Sequence, residues 1–518
     1  MKKLLFILIT LLALKTTAQQ TINIGEYQWH IIDNGNVYTP VGNDEGYTLT
    51  QVSGISDAVQ GDGAQYTTIL RTASQKVYVI NGGTTTKTEY SLTEAEEPLN
   101  PTYVQGLYRS YFALSGGKVY YLPLLADEIG QNSGSTSTLW IELTQPSGGR
   151  TIDSIVSAAN TDFGLNYLMA KCTDGTVWQW TSASTTPVQL TWPGGNTNAI
   201  SIAMVGPVAQ VIITADGAYT RGYYASLIGG TNLTHAGSFE DITEELAGPV
   251  RPWKEVKTTY TSLHFIDAND HMWAIGNNAQ GIMGTGDQYP YWRTFWYNSA
   301  RQPYRWSWVN GDRIKPMTQI PGEWKNLRTH NTVTSYVYAQ DMGNNWYSWG
   351  RNKGRSLGNG VSMLVADEAL ISEYLNIPAP RKVSLTPGMI WTVLSARDTA
   401  ALRTPLANAG PDQWRTAGTT STTLYGQGSH QQQPGTTTTV TMTYAWTKQS
   451  GPSCTITSPT SANTTVTGMS AGTYVFRNTV TSAHGSDYQE VTVNIAAEEE
   501  PEPAPPTNTI FCPFFIKN

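Results

Sequence analysis

Seven short copies of one pattern recur between about residue 28 and residue 350, and they constrain the fold more than anything else in the chain. The clearest copy runs from Leu168 through Cys172, Asp174 and Gly175 to Val177 and Trp178. An apolar alternating run leads into a polar tight turn, which is followed by a β-branched residue and an aromatic. The other copies close on Asn34-Gly35-Asn36-Val37-Tyr38, Gln75-Lys76-Val77-Tyr78, Gly116-Gly117-Lys118-Val119-Tyr120, Asp216-Gly217-Ala218-Tyr219, Asn269-Asp270-His271-Met272-Trp273 and Gly343-Asn344-Asn345-Trp346-Tyr347. Each reads as a β-hairpin: strand, turn residues that tolerate positive φ, strand. From one closing aromatic to the next the steps are 40, 42, 58, 41, 54 and 74 residues. A four-stranded propeller blade occupies about 40 to 50 residues. The three short steps fit bare blades, and the three long ones predict loop insertions.

At 518 residues the chain exceeds one hydrophobic core. Its start, Met1-Lys2-Lys3, an apolar run from Leu4 to Leu14 and then Thr16-Thr17-Ala18, has the layout of a secretory signal peptide, with cleavage expected after Ala18. That run is too short to span a bilayer, and no second candidate follows. The expectation is an exported bacterial protein, secreted or on the outer cell surface. Charged residues make up 14% of the chain and the net charge is −7, without the basic face that nucleic acid requires. Cys172, Cys454 and Cys512 form neither a disulfide framework nor a zinc cluster. The only segment with a helical pattern is Asp367 to Leu375.

Two stretches make the propeller reading more specific. One runs from Trp273 through Gly276, Asn277, Gly281 and Gly284 to Gly286; the other runs from Trp349 through Gly350, Asn352, Gly354 and Gly358 to Gly360. Both resemble the signature of the regulator of chromosome condensation family, which implies a seven-bladed β-propeller over residues 19–404. The run Thr392 to Arg403 reads as half of a further repeat that completes the last blade or closes the ring. Nucleotide exchange and chromatin binding, known in eukaryotic members, are not carried over to an exported acidic chain.

After Pro405 the composition shifts to Thr and Ser. Ala407-Asn408-Ala409-Gly410-Pro411-Asp412, Tyr444-Ala445-Trp446 and the alternating strand Glu490 to Ile495 resemble the polycystic kidney disease (PKD) type of immunoglobulin-like domain, over 405–496. Trp446 is its expected core anchor. The His430 to Pro434 loop lacks the aspartates that would hold calcium. Residues 497–518 are an acidic proline-rich linker and a short apolar tail. The fold class expected is therefore all-β: a seven-bladed propeller plus a C-terminal immunoglobulin-like sandwich.

The longest step holds the candidate ligand site. Nine aromatics lie within residues 289–308, where the chain average is 11%. Tyr291, Trp292, Trp296, Tyr304, Arg305, Trp306 and Trp308 are the candidates. Flat rings stack on sugar faces while guanidinium groups bind hydroxyls. The same residues also suit an insertion that buries its own aromatics, or a protein contact rich in Trp, Tyr and Arg. Catalytic and metal motifs are missing: no Gly-x-Ser-x-Gly, no His-Glu-x-x-His, and seven scattered histidines. His264 reads as structural, and Asp267 with Asp270, like Glu94 with Glu96 and Glu97, reads as a solvated turn. No cofactor or metal is expected. The leading expectation is non-catalytic binding of an extracellular glycan or surface protein. The rivals are a polysaccharide-active enzyme with an axial site and a protein-interaction scaffold.

Overall fold

The computed structural model describes residues 21–24, 29–43, 46–63, 67–90, 99–107, 110–123, 139–160, 165–181, 184–206, 209–230, 237–278, 281–285, 292–297, 302–308, 315–329, 336–351, 361–364, 376–383, 390–395, 405–429 and 441–497. The predicted helix at 367–375, the Glu94–Glu97 loop and the His430 loop lie outside them. The described residues are almost entirely strand, with one 3-10 helix at Tyr223–Ile228.

Seven four-stranded antiparallel blades follow one another in chain order; the first belongs to a six-stranded sheet, and the sixth and seventh share a seven-stranded one. Their first, inner strands are Thr21–Ile24, Ala58–Gly63, Pro101–Leu107, Ile152–Asn160, Ala199–Val205, Glu255–Thr258 and the second half of Lys315–Thr329. Each inner strand touches the next, and the seventh touches the first, so the ring is closed. Lys315–Thr329 serves two blades. Its first half pairs with blade 6, with Ile320 opposite Met272, and its second half with blade 7, with Leu327 opposite Ala339.

Every predicted hairpin joins the second and third strands of one blade. Six turns use positive φ, at Asn34-Gly35, Gln75, Gly116-Gly117, Gly175, Asp270 and Asn344. The Asp216-Gly217 turn manages without, because the Thr214 hydroxyl accepts the Gly217 N–H at 2.9 Å. The turn glycines meet a second demand. Gly35, Gly117 and Gly175 carbonyls accept the N–H of Ala58, Ile152 and Ala199, each opening the next blade. A Cβ at Gly175 would overlap the Thr197 carbonyl, and one at Gly35 the Ser56 carbonyl. The sequence pattern therefore records how blades join as well as how a hairpin turns.

Asp267 corrects the sequence reading. It is fully buried, and its carboxylate accepts the N–H of Val250, Asn269 and His271 and the Trp273 indole. Burial alone would raise its pKa, but these donors outweigh burial and hold it below the ordinary range. Asp341 occupies the equivalent position in blade 7 and accepts from Gly343 and Asn345.

Apolar clusters fill the spaces between blades. At the seam, Trp29, Ile31 and Leu49 of blade 1 pack with Tyr336, Tyr338 and Trp349 of blade 7. The first signature stretch feeds the same cluster. Asn278 accepts the Met283 N–H at 3.0 Å, and Ile282 and Met283 insert beneath Trp349, whose indole donates to the Ile282 carbonyl at 2.8 Å. Buried His264 meets that carbonyl at 3.1 Å, which fits its structural reading. Ile390–Ser395 neither completes the last blade nor exchanges a strand at the seam. It pairs with the outer strand of blade 1, Gly46–Gln51. Blade 1 already has four N-terminal strands, so side-chain packing closes the ring.

From Leu406 the chain forms a small sandwich. One sheet orders Gln413–Arg415, Gly485–Ile495, Gly472–Ser482 and Thr443–Ser450; the other orders Ser421–Tyr425, Asn463–Thr467 and Thr455–Ile456. Trp446 anchors the core, with its indole donating to the Ala462 carbonyl at 2.9 Å.

Candidate functional site

The blade topology gives the propeller two unlike ends. Second-to-third strand turns are tight and crowd one face. Third-to-fourth connections leave from the other face, and there the chain is long: Pro123 to Ile141 in blade 3, Arg221 to Glu240 in blade 5, Gly276 to Lys315 in blade 6 and Arg351 to Asn376 in blade 7. The three long repeat steps map onto the first three of these. A rigid ring carrying variable connections on one face is a common arrangement for recognition.

The aromatic insertion is the blade 6 connection. Trp292–Tyr297 and Gln302–Trp308 pair as an antiparallel hairpin separate from the blades, with Trp292 opposite Trp308, Thr294 opposite Trp306 and Phe295 opposite Arg305. Six candidates, Trp292, Trp296, Tyr304, Arg305, Trp306 and Trp308, are thus gathered on one two-stranded element. Tyr291 lies outside the described residues.

A second group of residues was not visible in the sequence. Side chains on inner strands clasp the next blade by accepting its backbone N–H groups. Gln60 accepts from Val104 at 2.9 Å, Asp62 from Gly106 at 3.0 Å and Glu255 from Leu327 at 2.8 Å. Asp62, Lys257 and Arg328 are each the penultimate residue of their inner strand, which puts them at one level near the insertion face. Arg328 pairs with Glu255 at 3.2 Å, and the Lys257 ammonium stands 3.9 Å from the same carboxylate. Burial pushes the Asp62 carboxyl up to about 7, opposed by the Gly106 and Gly63 N–H groups and by the charges of Lys257 and Arg328. Tyr103, on the inner strand of blade 3, is pushed up by burial and then by Asp62. Blades 2, 3, 6 and 7 therefore share one electrostatic site. Inner strands alternate over too few residues for a periodic signal to reveal it.

The second domain docks on the turn face. The ring of Trp414 packs on Gly343 and Pro411 packs on Gly322, at positions where a Cβ would collide. Asp412 accepts from Lys382 at 3.1 Å, Asn345 at 3.0 Å and the Thr492 N–H at 2.7 Å, while its own N–H donates to Asp341 at 3.3 Å. Arg415 pairs with Glu323. Burial, with Asp412 adding to it, raises the Asp341 carboxyl, against the hydrogen bonds from Asn345 and the charge of Lys382. The described bonds satisfy both carboxylates, as a specific buried interface requires.

Comparison with known proteins bears on the second domain through a family model and finds propeller structures at low identity. Residues 409–495 match a family model described as a PKD domain. No curated protein matches the chain. Among solved structures, Prp20p from Saccharomyces cerevisiae is 12% identical, with 64% of this chain and 77% of that chain covered and a TM-score of 0.47. Human WBSCR16 is 14% identical, over 61% of this chain and 86% of that chain, with a TM-score of 0.46. The PKD domain from KIAA 1837 protein is 32% identical, over 19% of this chain and 91% of that chain, with a TM-score of 0.16. The propeller assignment rests on strand order and ring closure rather than on these likenesses. The chain is a seven-bladed β-propeller, of the kind its repeat signature resembles, followed by a PKD-type domain.

Proposed function

We propose that this chain is an exported, non-catalytic binding protein that engages a glycan through the insertion face of its propeller. One observation carries the reading: the aromatic hairpin and the other long connections leave from the face opposite the docked PKD-type domain. Among the described residues the PKD-type domain does not cover that face, and the face bears the densest aromatic segment of the chain. Trp, Tyr and Arg in such a segment fit stacking on pyranose faces with hydrogen bonds to hydroxyls. A PKD-type module and the secretory layout of residues 1–18 fit an extracellular address. Among the described residues, no helix is long and apolar enough to cross a membrane.

The test is retention of the purified full chain on a panel of soluble and insoluble polysaccharides, scored together with release of reducing ends. Retention without release, lost in Trp296→Ala with Trp306→Ala, supports the reading. Release of sugar ends would replace it with an enzyme. Absence of both would leave a protein-interaction scaffold and turn the search to protein partners.

A further inference from the structure

We infer that Arg221, at the insertion end of the space between blades 4 and 5, receives a carboxylate carried by an acidic side chain of a protein partner. This site stands apart from the glycan reading, and neither depends on the other. The first ground is internal to the repeat. Tyr219, two residues before Arg221, packs with Met169 and Val177 of blade 4, so Arg221 points into the same space. At the equivalent position, two residues past the closing aromatic, the other six blades have Pro40, Ile80, Leu122, Trp180, Ile275 and Trp349, all apolar and all buried. Across its blade hairpin Arg221 faces Gln210, where blades 4, 6 and 7 have Leu168, Leu263 and Val337. The ring is therefore built without a cation at this position, and an ion held there costs stability that an apolar residue would not.

The second ground is how the guanidinium is held. It lies over the Phe239 ring, 4.5 Å from the centroid. Its Nε donates to Gln210 Oε1 at 2.7 Å, Nη2 to Gln179 Oε1 at 3.0 Å and Nη1 to the Gly237 carbonyl at 3.2 Å. Gln210 also donates to Gln179 at 2.7 Å, so the two amides brace each other. Every one of these acceptors is neutral. Glu240 pairs with Thr220, the residue before Arg221, and so leaves the sheet on its other side. Burial pushes the Arg221 pKa down, and Tyr167, the other titratable group acting on it, is pushed up by burial and is uncharged at neutral pH. Among the described residues no carboxylate matches this charge. Three of the five N–H groups are used, leaving one on each terminal nitrogen. Two such groups on one rigid fork suit the two oxygens of a carboxylate.

The third ground is access. Arg221 and Gln179 are half-buried, on the face from which the long connection of blade 5 departs. The neighbouring rings do not reach the surface: Phe239 is 3% exposed and Tyr167 6%. A pyranose would find no ring to stack on here, whereas a carboxylate on a short flexible side chain needs only the fork.

Tetraglutamate and tetraglutamine differ in their carboxylates, and tetragalacturonate carries carboxylates on a sugar. Titrated calorimetrically into the full chain, tetraglutamate should bind at least about tenfold more tightly than tetraglutamine, the factor one charge-assisted hydrogen bond supplies. Arg221→Met should abolish that preference with a melting temperature equal to wild type or above it. Arg221→Lys keeps the charge without the fork and should retain about a fifth of the affinity. In the unaltered chain tetraglutamate should protect Arg221 from phenylglyoxal, read by mass spectrometry of the peptide that contains it, a result independent of how the variants fold. Equal affinity for tetraglutamate and tetraglutamine, or no protection of Arg221, would overturn the inference. So would an Arg221→Met chain that melts earlier yet keeps the preference, since the arginine would then be a structural support. Tighter binding of tetragalacturonate than of tetraglutamate would overturn the protein ligand in favour of a sugar acid.

Discussion

Replacing Asp62 with Asn tests the inner-strand clasp directly. Asn is nearly isosteric, and its amide oxygen can still accept the Gly106 N–H, so the hydrogen bond survives and only the titration is lost. The carboxyl moves from 3.8 to about 7 on folding. A shift of one unit corresponds to about 1.4 kcal/mol, so the full displacement sets an upper bound of about 4 kcal/mol. Asp62 is only partly buried. Solvent screening there brings the expected effect to about 2 kcal/mol. The sign follows from proton binding. Because the folded value is raised, the folded state holds the proton more tightly than the unfolded chain. The stability this contributes is complete below about pH 4 and is lost as pH rises through 7. Urea unfolding followed by tryptophan fluorescence at pH 4.5, 6 and 8 should show the variant gaining on wild type as pH rises, by about 2 kcal/mol at the top. Groups remote from Asp62 titrate alike in both proteins, and Tyr103, which burial pushes up, keeps its proton over this range, so the difference isolates Asp62. Parallel pH profiles would refute the claim that this carboxyl is held in its neutral form.

Two further substitutions probe the joints between structural units. Gly175→Ala places a Cβ against the Thr197 backbone at φ +76 and should cost about 3 kcal/mol, whereas Gly116→Ala, at φ +59 with nothing within 4 Å, should cost about 1 kcal/mol; equal losses in thermal melts would show that the close approach of the next blade is unimportant. Gly343→Ala drives a methyl into the Trp414 ring without touching either core. Differential scanning calorimetry should then resolve two transitions, with the sandwich melting independently, and an unchanged single transition would contradict a fixed interface.

The hairpins were legible because a tight turn writes itself into adjacent residues: positive φ selects Gly, Asn or Asp within a four-residue window. The same locality made Trp446 readable as a core anchor. Asp267 was misread for a related reason. A turn aspartate resembles a solvated one until the fold brings the Val250 N–H and the Trp273 indole onto it. Asp62, Lys257 and Arg328 left no trace, since they are single positions on three strands separated by up to 266 residues. The domain junction was equally silent. Its parts, Gly322, Asp341, Lys382 and Asp412, acquire meaning only when the sandwich is set on the ring. The aromatic insertion stood out by composition, and its pairing as a hairpin is an outcome that composition could not supply.

In most of this ring a blade ends in a loop, and a loop is a place where a unit can be added, deleted or exchanged. Between blades 6 and 7 there is no such place. Lys315–Thr329 runs through both sheets without a break, Gly322 in its middle is held under Pro411, and the Trp324 N–H is tied to the Asp270 carbonyl at 2.7 Å. A duplication or deletion there would sever a strand instead of a linker. The two blades are therefore tied into one mechanical unit, and slow amide exchange on one half of the strand should be lost together with that on the other. The seven repeats of the sequence thus amount to six separable joints of the ring, and the doubled one carries both the aromatic insertion and the seat of the second domain.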